Sequence, residues 1–500
     1  MSMTDRSLAY VRSEDAPKLP APASTVGLQG WLRVNLFSSL LNSLLTLVFG
    51  ALAIMVIWRV FNFAVVNAAW TGTNRDACVG EAMGACWPMI ADKMPQWIYG
   101  FYPIEQRWRV NLAFLAFAAG VIPMLIPSAP YKLWNALYLF IIFPLLTLIL
   151  LTGGNLSFGF SSYMSVVRFM LFLSAFLPLV AYGIEEGIAR NRAGLLLAGV
   201  VLVLWLASFA TGPLPVGPIG GQYSGIDLAI YVVGIIGGAL SLIATLKDRE
   251  GRGRPVFYGW GIGLAALLVA MAFLDIDFGL QPVETQQWGG LLVTLVVSVT
   301  GIVASLPIGI VLALGRRSQM PVVRTLSVIF IEVIRGVPLI TVLFMASVML
   351  PLFLPPGVSF DKLLRALVGV ALFSSAYMAE VVRGGLQAIP KGQTEGAMAL
   401  GLSYWQMMIK IILPQALKIS IPNIVGNFIS LFKDTTLVLI IGLFDLLGIV
   451  QSGLRDSNWS SASSAPTGYL TVALMFWVFC FAMSRYSMYT ERRLNTGHKR

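Results

Sequence analysis

From about residue 36 to residue 484, long apolar runs alternate with short polar connectors. A helix needs roughly 20 apolar residues to cross a bilayer. Twelve runs approach that length, at 36–58, 110–126, 133–151, 166–184, 194–211, 227–246, 256–274, 289–314, 325–350, 366–382, 420–447 and 468–484. The pattern predicts an all-α polytopic membrane protein of about 12 transmembrane helices. One stretch between two such runs departs from it. Glu395-Gly396-Ala397-Met398-Ala399-Leu400-Gly401 is small, mixed and partly polar, and it leads into Ile411-Ile412-Leu413-Pro414. Pro390 and Gly392 interrupt the backbone before it, so the expectation is a short helix over 395–400 that Gly401 ends. Ala397 and Ala399 carry little bulk, which lets another protein's surface approach the backbone. Glu395, near the helix N-terminus, offers a charge to a basic partner.

The polar residues within the runs divide the chain further. Residues 1–30 are polar and without an apolar core of the kind a secretory signal has, and read as a disordered tail. Residues 31–151 hold three runs around a long loop, 59–109. Residues 152–275 hold four more that carry almost no internal charge, so they read as peripheral and lipid-facing. From 283 the character changes. Glu332 and Arg335 lie three apart on one helix face and can pair with each other, with Gly336-Val337-Pro338 kinking the helix beyond them. They read as a structural ion pair or, since charge at membrane depth is expensive, as a functional one. The eleventh run is the most polar, with Asn427, Ser430, Lys433, Asp434, Thr435 and Asp445. These groups either line a substrate path or serve as hydrogen-bonding glue between helices.

Composition supports the membrane reading and adds orientation. The 500 residues are 57% hydrophobic and only 11% charged, with a mean hydropathy of +0.80; soluble domains average about 25% charged. The net charge of +11 is scattered between runs and forms no nucleic-acid face. With the N-terminus inside, 23 of the 34 basic residues fall on inner segments and nine on outer ones, which puts both termini and the 395–414 loop in the cytoplasm. Cys78 and Cys86 share one outer loop, where they are either a disulfide or two free thiols. The single histidine, His498, and the cysteine spacing offer no metal site and no nucleophile–base pair. No glycine is followed by lysine, which excludes a P-loop. Energy for transport must come from an ion gradient, as in a secondary amino acid transporter, or from a partner.

The 395–414 spacing resembles the EAA motif of ABC importer permeases, Glu-Ala-Ala-x3-Gly-x9-Ile-x-Leu-Pro, through Glu395, Ala397, Gly401, Ile411, Leu413 and Pro414, with Gly396 in place of the first alanine. Residues 283–490 are similar to the five-helix type I core of polar amino acid permeases. Trp288-Gly289-Gly290, Glu332 to Leu339, Ala379 to Gly385 and Phe432 to Leu437 carry that likeness. Residues 31–151 and the tail 491–500 resemble, more narrowly, the second permease subunit of the general L-amino acid transporter of Gram-negative bacteria. Residues 152 to about 272 have no recognised counterpart there and look like an insertion. The resemblance implies an inner-membrane importer of L-amino acids. Its further parts would be a second, different permease subunit, two cytoplasmic ATPase subunits that bind ATP and Mg, and a periplasmic binding protein. The 395–414 loop would be the coupling helix, and this chain would hold no cofactor and no ATPase site of its own.

Overall fold

The computed structural model describes residues 27–126, 128–154, 254–353 and 361–494, with a few isolated positions between 163 and 239. The runs expected at 166–184, 194–211 and 227–246 lie outside the described residues. Among those described, the chain is helical with only isolated backbone bridges, and seven helices are long and apolar enough to cross a membrane, or eight if one bent pair counts as a single span. The chain divides into two units, residues 1–92 with 454–471, and residues 93–453 with 472–500.

In the first unit, helix α1 (Leu40–Val66) begins at Ser39, whose hydroxyl accepts the Asn42 N–H at 3.1 Å. Its apolar residues point all round, and none of its most apolar stretch is buried within the chain. Such a helix needs lipid on every side. The segment after it folds on itself. Cys78 and Cys86 are joined in a disulfide, with Cα atoms 5.5 Å apart. Both half-cystines are tied to the start of the last helix, because Ser463, just before it, donates to the Cys78 carbonyl at 3.2 Å and the Cys86 N–H donates to Thr467, within its first turn, at 3.0 Å.

The second unit contains α2 (Ile104–Leu125) and α3 (Lys132–Thr152), a hairpin tied by Asn135 to the Gly120 carbonyl and Tyr138 to the Ala116 carbonyl. Tyr102 and Val110 of this region share one apolar core with Leu292 and Val293 near the start of the permease-like helices and with Leu343 and Ala366. Arg109, fully buried, donates to the Gln281 carbonyl at 2.7 Å. Residues 93–152 are therefore built into the core of this unit. After α4 (Arg254–Leu274) comes the pair that organises the rest, α5 (Gly290–Arg316) and α8 (Lys362–Gln387). On α5, Gly301, Ser305, Gly309 and Ala313 recur every four residues and are all buried. Small residues at that spacing let two helix backbones close on each other without a hydrophobic driving force from water. A Cβ at Gly309 would stand 2.7 Å from Met378 Cβ on α8.

The run expected at 325–350 is broken. Helices α6 (Pro321–Gly336) and α7 (Leu339–Met349) meet at 105° across Val337-Pro338, where proline removes a backbone donor. The short α9 (Lys391–Ala399) then precedes α10 (Tyr404–Ile441), α11 (Leu446–Gly453) and α12 (Ser464–Leu494). Two boundaries differ from expectation. Helix α10 starts inside the loop, because a π turn at Met408–Ile412 absorbs the misfit ahead of Pro414, and it ends at Ile441, because Gly442 turns left-handed at φ +76°. With α6 and α7 taken as one, α5 to α12 supply five spans.

Candidate functional site

The loop between α8 and α10 is built by local signals. Pro390 sits in an extended conformation ahead of Lys391, and nine residues follow as α9. Gly392 does not break it, so the helix starts four residues before the expected start and Glu395 lies past its first turn. The N-terminal dipole argument for Glu395 is corrected accordingly, since that effect fades within one turn. Gly401 ends the helix at φ +71°, a region that costs other L residues roughly 1–2 kcal/mol. Its N–H donates to the Met398 carbonyl at 2.9 Å and the Leu402 N–H to the Ala397 carbonyl at 3.2 Å, the two bonds of a Schellman closure. Immediately after, Ser403 and Gln406 exchange bonds as a capping box that starts α10.

Only Ala397 of α9 is buried, at 2% exposure, against Met407, Met408 and Ile412 and the α8 residues Val382 and Leu386. Ile411 and Leu413 pack on the same cluster, and Pro414 is exposed at the start of the straight helix. Glu395 and Gly396 are exposed, and a Cβ at Gly396 would meet nothing within 4 Å, so glycine and alanine are equally accommodated there. Met398 and Leu400 stand out at 61% and 78% exposed. Two large apolar side chains therefore face outward on a short, otherwise polar connector.

The expected ion pair between Glu332 and Arg335 is not the one formed. Arg316, at the end of α5, donates to Glu332 at 2.8 Å and to Glu380 on α8 at 2.7 Å. Arg383 donates twice to the other Glu380 oxygen, at 2.9 and 2.6 Å, while Arg335 lies 3.8 Å from it. Glu380 is the least exposed carboxylate of the group, and bonds to a half-buried charge outweigh an exposed i,i+3 pair.

Of the six polar residues read as substrate lining, two are structural. Thr435 is buried and donates to the Phe432 carbonyl at 2.8 Å. Asp445 is fully buried beyond the end of α10 and caps α11, accepting the Leu447 and Gly448 N–H groups at 3.1 and 2.9 Å. Burial pushes its carboxyl up to about 6 against those bonds. Ser430 and Lys433 are exposed, Asp434 is half-buried, and Asn427 has a buried amide nitrogen without a hydrogen-bond partner.

Residues 305–496 match the family model described as binding-protein-dependent transport system inner membrane component. Across 483 residues the chain is 40% identical to the inner membrane amino-acid ABC transporter permease protein YhdY of Escherichia coli K12, covering 96% of this chain and 97% of that one. The chain belongs to the amino-acid ABC transporter permeases. It is also 40% identical over 517 residues to the glutamate/glutamine/aspartate/asparagine transport system permease protein BztC of Rhodobacter capsulatus, covering 99% of this chain and all of the other. Matches of that extent run through residues 152–275, so both long permeases share that block, for which no counterpart was recognised in the sequence. The probable glutamine ABC transporter permease GlnP of Bacillus subtilis, 34% identical over 197 residues, matches 39% of this chain and 88% of its own. The EAA-type loop thus lies in a chain whose family works as the membrane part of ABC transporters.

Proposed function

We propose that this chain is one of two different permease subunits in an ATP-driven importer of polar L-amino acids, coupled to separate ATPase subunits through α9. The observation that carries the reading is the shape of that loop. A helix of nine residues is anchored by the buried Ala397 and by the Gln415 amide donating to Gln393 at 3.2 Å, closed by Gly401, and presents Met398 and Leu400 outward. Helix α9 docks in a groove of an ATPase subunit, which binds ATP and Mg; closure of two such subunits pushes α9 and turns the permease pair from inward-facing to outward-facing. Glu395, Gly396, Ala397 and Gly401 transmit the push, and Ile411, Leu413 and Pro414 tie the loop to α10.

The excess of basic residues on one set of connectors supports a bacterial inner-membrane chain with both termini and α9 in the cytoplasm. A periplasmic binding protein delivers the cargo on the opposite face. The substrate range of the relative BztC points to acidic amino acids and their amides, with Asn427, Ser430, Lys433 and Asp434 as the part of the path that α10 contributes. Residues 31–151 and 152–275 precede the five-helix core as further membrane segments, of which 93–152 share its apolar packing. Affinity purification of the chain from its native membrane, with identification of what comes with it, tests the assembly. An ATPase and a second permease are expected, and recovery of the chain without an ATPase refutes the reading.

A further inference from the structure

Five charged side chains from three helices converge beside the coupling loop. Arg316 of α5 bridges Glu332 of α6 and Glu380 of α8, Arg383 grips Glu380 from one turn away, and Arg335 of α6 reaches toward the same carboxylate while lying 5.6 Å over the Tyr377 ring. Three arginines thus share two glutamates, and the Glu380 side chain, 15% exposed, takes a contact from each arginine. Burying charge in this way stabilises a fold little more than apolar packing would, but it fixes geometry through directional bonds.

The same turn of α8 is held from another side by the loop. Met378, Ala379, Val382 and Leu386 are buried in the cluster that contains Ala397 of α9. Helix α6, by contrast, is loosely seated. Only Ser327 and Ile331 of it are buried, while Val322, Leu326, Ile329 and Val333 are each more than half exposed along one face. It ends at the 105° break, where a Cβ on Gly336 would meet open space. An element with few buried residues within the chain, a sharp break at its end and a directional charge tie is one that its tie can move.

We propose that Glu380 is a positioning residue that makes α6 follow the coupling loop, with α6 turning as a lever on the Gly336–Pro338 break. The inference rests on the ABC permease reading of α9. Displacement of α9 moves the α8 turn from Met378 to Leu386, and the Glu380 carboxylate passes it to α6 through Arg316 and Arg335.

The test uses the assembled importer with its binding protein in proteoliposomes, with radiolabelled L-glutamine and L-glutamate as probes and phosphate release as the measure of hydrolysis. Glu380→Gln keeps the shape and removes the charge. It is expected to retain ATPase copurification and basal hydrolysis while uptake per ATP falls on the order of tenfold, the worth of one charged hydrogen bond. Glu380→Asp, which keeps the charge, recovers part of that ratio. Uptake per ATP at the wild-type level in Glu380→Gln overturns the proposal. So does a parallel fall of uptake, hydrolysis and thermal stability, which marks a static tie. Should Glu380→Gln not assemble, Arg335→Gln, at the exposed edge of the cluster, replaces it with the same two overturning results. If the unaltered chain brings down no ATPase, the permease assembly fails first and on its own.

Discussion

Gly401 separates what the loop does for itself from what it does for a partner. Its φ of +71° lies where an L side chain costs roughly 1–2 kcal/mol, and a Cβ there would meet nothing within 4 Å of this chain. Gly401→Ala therefore carries the backbone cost alone, equivalent to a factor of about 5–30 in the population of the closed loop. Gly401→Asn carries little of it, because asparagine visits that region readily. Gly401→Leu has the strain of alanine plus bulk, and Gly401→Asp has the tolerance of asparagine plus charge. Within this chain, then, Leu should equal Ala and Asp should equal Asn. If α9 seats in an ATPase groove, Leu must be worse than Ala and Asp worse than Asn. The assay is the amount of ATPase that copurifies, together with uptake of radiolabelled L-glutamine per ATP hydrolysed in proteoliposomes. Wild-type uptake in Gly401→Asp, or equality within each pair, refutes the docking argument and leaves Gly401 as a helix terminator only.

Three further outcomes follow from packing, burial and the disulfide. Gly309→Ala places a Cβ 2.7 Å from Met378 Cβ and 3.1 Å from the Ala379 nitrogen, so α5 and α8 must separate; a loss of roughly 1–3 kcal/mol and a lower thermal midpoint in detergent are expected, and no shift would refute the close contact. Asp445 has a folded-state pKa of about 6, above the 3.8 of an unperturbed aspartate, so the folded chain holds the extra proton and stability is highest below pH 4, falling as pH rises to 6. The difference is on the order of 3 kcal/mol, read as the thermal unfolding of wild type minus Asp445→Asn across that window, and a flat difference refutes it. Replacing Cys78 and Cys86 together by serine opens the loop that the disulfide closes and leaves the backbone bonds to Ser463 and Thr467 to hold it. Faster limited proteolysis within 67–92 is expected, and an unchanged cleavage rate counts against the staple.

The described spans and the short helix of the 395–414 loop were legible because both are encoded locally. Run length reports bilayer thickness directly, and the spacing from Glu395 to Pro414 needs no distant residue to be read. The start of α9 was misplaced because Gly392 looks like a breaker in isolation, whereas Pro390 already sets the helix entry. The charge cluster was hidden for the opposite reason. Glu332 and Arg335 satisfy the i,i+3 rule, yet the partners that win, Arg316 with Glu332 and Arg316 with Glu380, are 16 and 64 residues apart. The close approach of α5 to α8, with Gly309 and its small neighbours at the contact, brings Arg316 within reach of Glu380, and the packing of α6 on α5 brings Glu332 to the same arginine.

The polar residues of the eleventh run show where sequence reasoning stops. Asn, Ser, Thr and Asp look alike as lining or as glue, because hydrogen-bond demand is visible in a sequence and its satisfaction is not. The structure sorts them by what each bond already holds. Thr435 is paired with the backbone of its own helix and Asp445 with the start of α11, and both are buried, so neither side chain is open to cargo. The buried amide nitrogen of Asn427 has no partner among the described residues, and an unmet buried donor costs roughly 1–3 kcal/mol. Ser430 and Lys433 lie three and six residues further on and are exposed, so the same helix face stays polar where lipid would not tolerate it. That face, and not the whole polar run, is what α10 contributes to the proposed substrate path.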